Sequence, residues 1–287
     1  MMEYANPHAL VSTDWLAGNL DQEYLVILDA SWHLAAAGRD AKAEFTQAHI
    51  SGAGYFDIDD IADPQETKLP HMIPPADVFG AKVGALGAGN NSKIVVYDVY
   101  GGGLAAARAW WMFRLFGHDN VAMLNGGLGK WQTEDRPMDA TPPAPAAKQF
   151  QARLNPALVC SVDQVMDNLE TAKAQVLDAR GPGRFNGTEP EARPGVRSGH
   201  IPGSINLPFQ LFLDASKDLT LRPADELQAV FEGGGIDSAA PIISSCGSGV
   251  TACVAILALY LLGHDGAAVY DGSWTQWGGA THTPIEV

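Results

Sequence analysis

The stretch FGHDNVAMLNGGLGKW at residues 116–131 recurs as LGHDGAAVYDGSWTQW at residues 262–277, 146 positions further along the chain. Two more pairs repeat in the same order: LDAS at 28–31 with LDAR at 177–180, and AHISGAGYFDI at 48–58 with GHIPGSINLPF at 199–209. Since the order is kept and the offsets are nearly equal, the chain contains two copies of one structural unit. A length of 287 residues gives each copy the size of a common domain.

A proline-rich segment, PMDATPPAPAAKQF at residues 137–150, separates the two copies. Its four prolines favour an extended, solvated connection over a packed element. We therefore predict a first unit at residues 1–136, a linker at 137–155 and a second unit at 156–287.

Each copy alternates short β-rich runs with helical patterns. KIVVYD at residues 93–98 and APIISSC at 240–246 both lead into glycine-rich turns. Helical stretches follow at 104–117 and 250–263, each ending in a glycine suited to a helix C-terminus. This order predicts an α/β fold in each copy: a doubly wound, mostly parallel sheet with helices on both faces. Ligands bind such sheets beyond the carboxyl ends of the strands, where Cys246 lies.

Charge and hydropathy narrow the classes of partner. A formal charge of −15 opposes binding to nucleic acid or to an anionic membrane. The continuous apolar stretch Val250–Leu262 is too short to span a bilayer and predicts a helix buried inside the protein. The N-terminal sequence shows no signal or transit pattern, so we expect a cytoplasmic protein.

The chain has three cysteines, Cys160, Cys246 and Cys253, too few for a disulfide framework and not spaced as a zinc site. For Cys160 and Cys253 we favour a structural role as small buried residues. Cys246 differs because the turn CGSGVT at residues 246–251 places two glycines directly after it. Successive backbone N–H groups in such a turn form an anion-binding nest that would stabilise a nucleophilic thiolate.

The first copy provides an internal comparison. Alignment of IVVYD with IISSC sets Asp98 opposite Cys246, so the first copy keeps the scaffold without the nucleophile. A phosphatase of the Cys-x5-Arg type needs an arginine six residues after the cysteine, where this chain has Ala252. A short loop without arginine suits the transfer of one sulfur atom better than the grasp of a phosphoryl group.

These residues resemble the tandem rhodanese-type sulfurtransferases, which have an inactive first domain with Asp in place of Cys. The segments GRFNGTEPEARPG (183–195), GHIPG (199–203) and YDGSWTQWG (270–278) are also similar to the family pattern, and the resemblance covers nearly the whole chain. The uncharged loop resembles members that use 3-mercaptopyruvate, whereas members that use thiosulfate carry basic loop residues. The alternatives are a thiosulfate sulfurtransferase and a non-catalytic rhodanese-type binding module, which would lack Cys246.

The resemblance implies a double displacement through a persulfide on Cys246, without metal or organic cofactor. The acceptor would be thioredoxin, another thiol or cyanide. The donor would contact Arg184 and Arg193 together with the loop residues Gly247, Gly249, Val250 and Thr251, of which Thr251 donates to the loop or caps the helix. A proton relay would consist of Ser248, His71 and Asp59. For Arg180 and Arg197 we expect a solvated loop face paired with nearby glutamates.

Overall fold

The computed structural model describes residues 2–101 and 103–287. The strands are β1 (Leu10–Val11), β2 (Leu25–Asp29), β3 (His49–Ile50), β4 (Gly54–Tyr55), β5 (Lys93–Tyr97), β6 (Val121–Leu124), β7 (Met138–Asp139), β8 (Val159–Cys160), β9 (Gln175–Asp178), β10 (Ile205–Asn206), β11 (Leu213–Asp214), β12 (Thr220–Leu221), β13 (Ile242–Ser245) and β14 (Ala268–Tyr270). The α-helices are α1 (Thr13–Ala17), α2 (Ala41–Gln47), α3 (Ile58–Ile61), α4 (Ala76–Ala85), α5 (Ala105–Leu115), α6 (Gly127–Thr133), α7 (Val162–Thr171), α8 (Pro182–Phe185), α9 (Ala224–Gly233), α10 (Ala252–Leu261) and α11 (Ser273–Gly279). Short 3₁₀ turns lie at Pro7–Ala9, Ala35–Ala37, Pro156–Leu158 and Phe209–Phe212.

The two copies form two parallel five-stranded sheets of the same topology. The first has the order β1-β6-β5-β2-β4 and the second the matching order β8-β14-β13-β9-β10. Every strand pair recorded within these two sheets is parallel. The predicted α/β fold is confirmed, and the sequence repeat is a repeat of strand order.

Helices α5 and α10 form the central layer between the two sheets. Every residue of α10 is buried, and so is every residue of α5 except Arg114. A helix that is apolar all round has no face suited to water, so α10 packs on neighbours from both units. The glycines after these helices, Gly117 at φ +82° and Gly263 at φ +94°, adopt the left-handed conformation predicted for their ends.

The outer faces of both sheets are also covered. A cluster that includes Leu16 of α1, Phe45 of α2 and Trp131 of α6 packs on the first sheet. A cluster that includes Val165 of α7 and Trp274 of α11 packs on the second. Each sheet is therefore enclosed on both sides, and its strand ends remain the natural place for a ligand.

The proline-rich segment runs along the first unit. Its residues 141–149 are exposed, whereas Phe150 is buried against Phe79 and Phe113. The Lys148 N–H donates to the Gly84 carbonyl over 2.9 Å. The connection is thus extended but anchored, and the unit boundaries given above stay a prediction.

Glycine at two positions of α4 lets this segment approach. A Cβ on Gly84 would collide with the Lys148 carbonyl oxygen, and one on Gly80 would lie 2.5 Å from the Phe150 carbonyl oxygen. We expect Gly84→Ala to lower the free energy of unfolding by about 1–3 kcal/mol, although alanine is the better helix former. Urea denaturation measures the change.

The matched control is Gly129→Ala in α6, where an added Cβ has no neighbour within 4 Å among the described residues. This substitution should raise the free energy of unfolding by up to about 1 kcal/mol. Equal effects at both positions would show that close packing of the linker on α4 has no energetic weight.

Candidate active site

Cys246 follows β13 directly and is 2% exposed at one end of a cavity of about 570 Å³ between the two units. We call the part of this cavity that is lined by Cys246, Gly247, Ser248, Arg184 and Arg193 its polar end. Val250 and Thr251 also line it, whereas Gly249, His71 and Asp59 lie outside its lining. The carboxyl end of the sheet thus carries the predicted loop.

The loop carbonyls are tied to α11. The Cys246 carbonyl accepts from the Trp274 N–H at 2.9 Å, and the Gly247 carbonyl accepts from both the N–H and the hydroxyl of Thr275, at 2.9 and 2.6 Å. The Cys246 N–H donates to the Ser273 hydroxyl over 3.1 Å. These bonds hold the loop from one side.

The N–H groups after Cys246 are unpaired within the described residues. No N–H from Gly247 to Thr251 donates a hydrogen bond to an acceptor there. Gly249 has φ +74°, the left-handed conformation that alternates with right-handed residues in an anion-binding nest. The loop therefore has the donors that a sulfur anion on Cys246 requires.

The first copy shows the same kind of turn around a carboxylate. Asp98, at the position equivalent to Cys246, is fully buried and accepts N–H bonds from Tyr100, Leu104 and Ala106 at 2.8, 3.3 and 2.9 Å. The carboxyl oxygens of Asp98 thus accept from backbone donors of the first loop. This arrangement supports an anion-stabilising role for the second loop.

Arg184 is held over the catalytic loop by Glu191. Its Nη2 and Nε donate to Glu191 Oε2 at 2.5 and 3.1 Å. A Cβ at residue 247 would lie 3.1 Å from Arg184 Nη2, so Gly247 leaves room for the guanidinium. The sequence analysis did not identify Glu191 as the residue that positions Arg184. The available signal was its place seven residues after Arg184 in the same loop.

Arg193 lies near Arg184 and is half-buried. Its Nη1 donates to the Thr275 hydroxyl over 3.4 Å. Burial, and then repulsion from Arg184, lower the pKa of Arg193 from its ordinary value. Arg184 and Arg193 therefore line the same cavity as Cys246, as does the buried Arg180.

The expectation for Arg180 and Arg197 was partly wrong. Arg180 is 2% exposed and pairs with Asp178 and Glu191, so it is a buried structural residue rather than part of a solvated face. Arg197 is exposed as expected, but its guanidinium donates to carbonyls near the C-terminus, including that of Gly278, instead of to a glutamate.

The predicted relay residues are brought together in part. Asp59 Oδ1 lies 2.9 Å from His71 Nδ1, and this contact with His71 holds the pKa of Asp59 below its usual range. His71 is buried with φ +61°, and its Nε2 has no hydrogen-bond partner within the described chain. A hydrogen bond between Ser248 and His71 is therefore not present in this arrangement.

The predictions for Thr251 and for the other two cysteines can also be compared with the structure. Thr251 stands at the N-cap of α10, but its side chain makes no capping hydrogen bond, so the predicted capping role is wrong. The backbone there has right-handed angles, whereas a capping side chain needs an extended N-cap. Burial raises the pKa of Cys160 and of Cys253, in keeping with the structural role predicted for both.

Arg108 of the first unit was not found from the sequence. It is fully buried in α5 and donates to the Gly249 carbonyl at 3.2 Å and to the His71 carbonyl at 2.6 Å. Its Nη2 lies 2.7 Å from Asp271 Oδ1, while Asp271 Oδ2 accepts the Ile73 N–H at 2.8 Å. One ion pair thus joins the second-unit loop to the segment that carries His71.

The ionisation of Arg108 follows from these contacts. Burial disfavours its charge, but the attraction of Asp271 and neighbouring groups outweighs burial and holds the pKa of Arg108 above its ordinary value. The available sequence signal was an arginine that lies among alanines and tryptophans, Ala105 to Trp111, in a helix whose other charged residue, Arg114, is near its C-terminal end.

Residues 2–101 and 103–287 contain neither a candidate metal site nor a candidate membrane span. No cluster of three or more His, Cys, Asp or Glu side chains is arranged to hold a metal ion. No helix in this part of the chain is long and apolar enough to cross a membrane.

Comparison with known proteins places the chain in a family. Residues 12–134 and 161–280 match the Rhodanese-like domain. The chain is 43% identical over 274 residues to human 3-mercaptopyruvate sulfurtransferase, covering 94% of this chain and 91% of that protein. It is equally identical, 43% over 275 residues with the same coverage, to bovine thiosulfate sulfurtransferase.

A solved structure gives the same result. The crystal structure of SseA from Escherichia coli, described as a 3-mercaptopyruvate sulfotransferase, has a TM-score of 0.83 and 38% identity, covering 93% of this chain and 98% of that chain. Fold and loop define a protein with two rhodanese-like domains. The chain belongs to the two-domain sulfurtransferase family of rhodanese-like proteins.

We expect Arg108→Met to lower the free energy of unfolding by about 3–5 kcal/mol, because it leaves the buried Asp271 carboxylate without its counter-ion. Chemical denaturation followed by tryptophan fluorescence measures this loss. Arg39→Met, which removes an exposed pair with Glu44, should cost at most about 1 kcal/mol.

A double variant tests the coupling directly. Arg108→Met combined with Asp271→Leu should cost less than the sum of the single changes, since neither charge is left alone. Additive losses would contradict a direct ion pair between the two units.

Proposed function

We propose that this chain transfers the sulfur of 3-mercaptopyruvate to a thiol or cyanide acceptor through a persulfide on Cys246, and releases pyruvate. The observation that carries this proposal is the combination of an uncharged loop of unpaired N–H groups with two arginines beside it. The loop suits one sulfur atom, and the arginines suit a carboxylate set apart from that sulfur.

Arg184 and Arg193 are assigned to the carboxylate and ketone of the donor. A planar guanidinium matches a carboxylate in a fork geometry that a lysine cannot provide. Glu191 neutralises part of the charge of Arg184 but fixes its orientation over Gly247. The donor is then held with its sulfur towards Cys246.

The first half-reaction forms an S–S bond and breaks a C–S bond. The Cys246 thiolate attacks the sulfur of 3-mercaptopyruvate, and the electron pair of the C–S bond moves to the methylene carbon to give pyruvate enolate. The sulfur and its proton remain on Cys246 as a persulfide, and the enolate takes up a proton to become pyruvate. The loop N–H groups stabilise the anionic sulfur in both states.

We assign that proton to the group of Ser248, His71 and Asp59. Asp59 contacts the Nδ1 side of the imidazole, which leaves Nε2 for proton exchange. Ser248 lines the same cavity as Cys246. It is the first residue with a hydroxyl group after Cys246 in the sequence. This assignment requires Ser248 and His71 to come within hydrogen-bond distance of each other when the donor binds.

In the second half-reaction an acceptor removes the outer sulfur and restores the thiolate. Thioredoxin, a small thiol and cyanide are the acceptors we propose, and a cytoplasmic location remains a prediction from the sequence. We place the nucleophile in the second unit, residues 156–287, with the first unit, residues 1–136, as its partner.

Thiosulfate is the alternative donor, since this chain is as similar to bovine thiosulfate sulfurtransferase as to human 3-mercaptopyruvate sulfurtransferase. Overall identity therefore does not separate the two donors. The loop supports 3-mercaptopyruvate, because Gly247 and Ser248 provide no positive charge for the thiosulfate dianion.

We expect kcat/KM to be higher for 3-mercaptopyruvate than for thiosulfate, and Cys246→Ser to abolish turnover of both. Intact mass after addition of donor without acceptor should show one added sulfur on the unaltered protein and none on the variant. Preference for thiosulfate would overturn the donor assignment, and sulfur transfer by the serine variant would overturn the role of Cys246.

Arg184→Ala and Arg193→Ala should each lower kcat/KM for 3-mercaptopyruvate by about 10- to 100-fold, because each removes a charged hydrogen bond to the donor. Steady-state kinetics and thermal unfolding should be measured together. Arg136→Ala, which removes a surface pair with Asp14 and Glu134, is the control and should leave the kinetics unchanged. Normal kinetics in either site variant would remove that arginine from the donor site.

Asp59→Asn should lower kcat by about 10- to 100-fold with little change in KM, since it removes the carboxylate that orients His71. The neighbouring Asp60→Asn, which loses a surface contact with Lys82, provides a matched control on the same helix. Equal rates for both variants would exclude Asp59 from proton transfer.

A further inference from the structure

The cavity above Cys246 is much larger than its proposed donor. Its volume of about 570 Å³ falls in the range of about 300–1,000 Å³ that holds drug-sized ligands. A three-carbon acid bound to Arg184 and Arg193 occupies the polar end alone. The remaining space needs another occupant or another explanation.

The first-unit side of this cavity is apolar. It is lined there by Trp32, Leu34, Ala37, Tyr100 and Leu104, none of which carries a charge. The charged residues that line the cavity are Arg180, Arg184 and Arg193, all from one segment of the second unit. The cations that line the cavity therefore all come from the second unit, whereas the residues that the first unit contributes are uncharged.

Residues of the second unit that contact the first unit line the cavity next to these apolar residues. Leu213 and Leu219 of the second unit line the cavity and pack against the inactive loop of the first. A Cβ on Gly103 would lie 2.6 Å from Leu213 Cδ1, and one on Gly101 would lie 2.6 Å from Leu219 Cβ. Because Gly101 and Gly103 have no side chains, Leu213 and Leu219 can pack closely against this loop. The loop thereby helps to shape the cleft.

This apolar wall is accessible at its outer edge. Leu34 is 48% exposed although it lines the cavity, and Leu219 is half-buried. An apolar side chain of this size gains free energy when a ligand covers it. Apolar residues with a few charged groups at one end are typical of a small-molecule site.

We propose that this wall, defined by Leu34, Tyr100, Leu104, Leu213 and Leu219, binds the sulfur acceptor, and that the preferred acceptor is a thiol on an uncharged, apolar body. The proposal rests on the proposed function, because it needs a persulfide on Cys246. The acceptor enters from the first-unit side, and the arginine side remains the donor site.

The transfer step balances without another reactant. The acceptor thiolate attacks the outer sulfur of the Cys246 persulfide, a new S–S bond forms on the acceptor, and the original S–S bond breaks. Its electron pair returns to Cys246 as the thiolate, and the acceptor leaves as a hydropersulfide. The proton lost by the acceptor thiol goes to solvent.

The experiment isolates the second half-reaction. The protein is first loaded with 3-mercaptopyruvate, freed of excess donor, and checked for one added sulfur by intact mass. Single-turnover loss of that sulfur is then measured with benzyl mercaptan, 2-mercaptoethanol and glutathione. We expect benzyl mercaptan to react with the highest rate constant per molar of thiolate.

The test variant is Leu34→Gln combined with Leu219→Asn. Leu219 has φ +57°, and asparagine tolerates this left-handed backbone, so the change removes the apolar contact without new strain. We expect about a tenfold loss of reactivity with benzyl mercaptan. Persulfide formation and reaction with 2-mercaptoethanol should be unchanged.

Leu154→Gln is the matched control, since Leu154 is 47% exposed and does not line the cavity. Glutathione as the best thiol would overturn the proposal in favour of an anionic acceptor on the arginines. An equal loss of reactivity with every thiol in the double variant would overturn the proposal as well. Faster sulfur loss without acceptor in the double variant would show that the wall excludes water instead. Failure to load sulfur would refute the proposed function itself.

Discussion

The ion pair between Arg108 and Asp271 is the contact on which the arrangement of this site depends. Both groups are buried, and further hydrogen bonds help such a pair to offset its desolvation. Here Arg108 also donates to the Gly249 and His71 carbonyls, and Asp271 also accepts from the Ile73 N–H, whereas Arg108 Nε has no hydrogen-bond partner among the described residues. The catalytic loop and the segment from the first unit are therefore positioned by the same two charges.

This contact gives a physical reason for a protein of two units in which only the second has a cysteine directly after its central strand. The first unit has Asp98 where the second has Cys246, yet it provides Arg108, His71 and one wall of the cleft. Helices α5 and α10 pack in a shared core, so the two units present these groups at a fixed separation. The first copy thus acts as part of the site and not as a separate module.

The sequence allowed the fold and the centre of the site to be predicted. The repeat and the strand, turn and helix order were sufficient for the two parallel sheets, and the glycines after Cys246 indicated a loop whose N–H groups have no acceptor among the described residues. Arg108 and Asp271 were missed because they are far apart in sequence and become neighbours only when the units dock. Arg180 was misjudged as solvated because a charged loop gives no sign of which arginine turns inward to meet Asp178.

The division of charge in the cleft follows from the loop. In the first copy the N–H groups of Tyr100 and Ala106 donate to the carboxyl group of Asp98, so the backbone of this turn provides hydrogen-bond donors to a side chain at that position. In the second copy the same dipoles are free for sulfur, and the cations stand apart at Arg184 and Arg193. A donor with its negative charge separated from its sulfur meets both at once, whereas a compact dianion would have its charge on the neutral loop. Under the proposed function, the position of the arginines selects the shape of the donor as much as its charge.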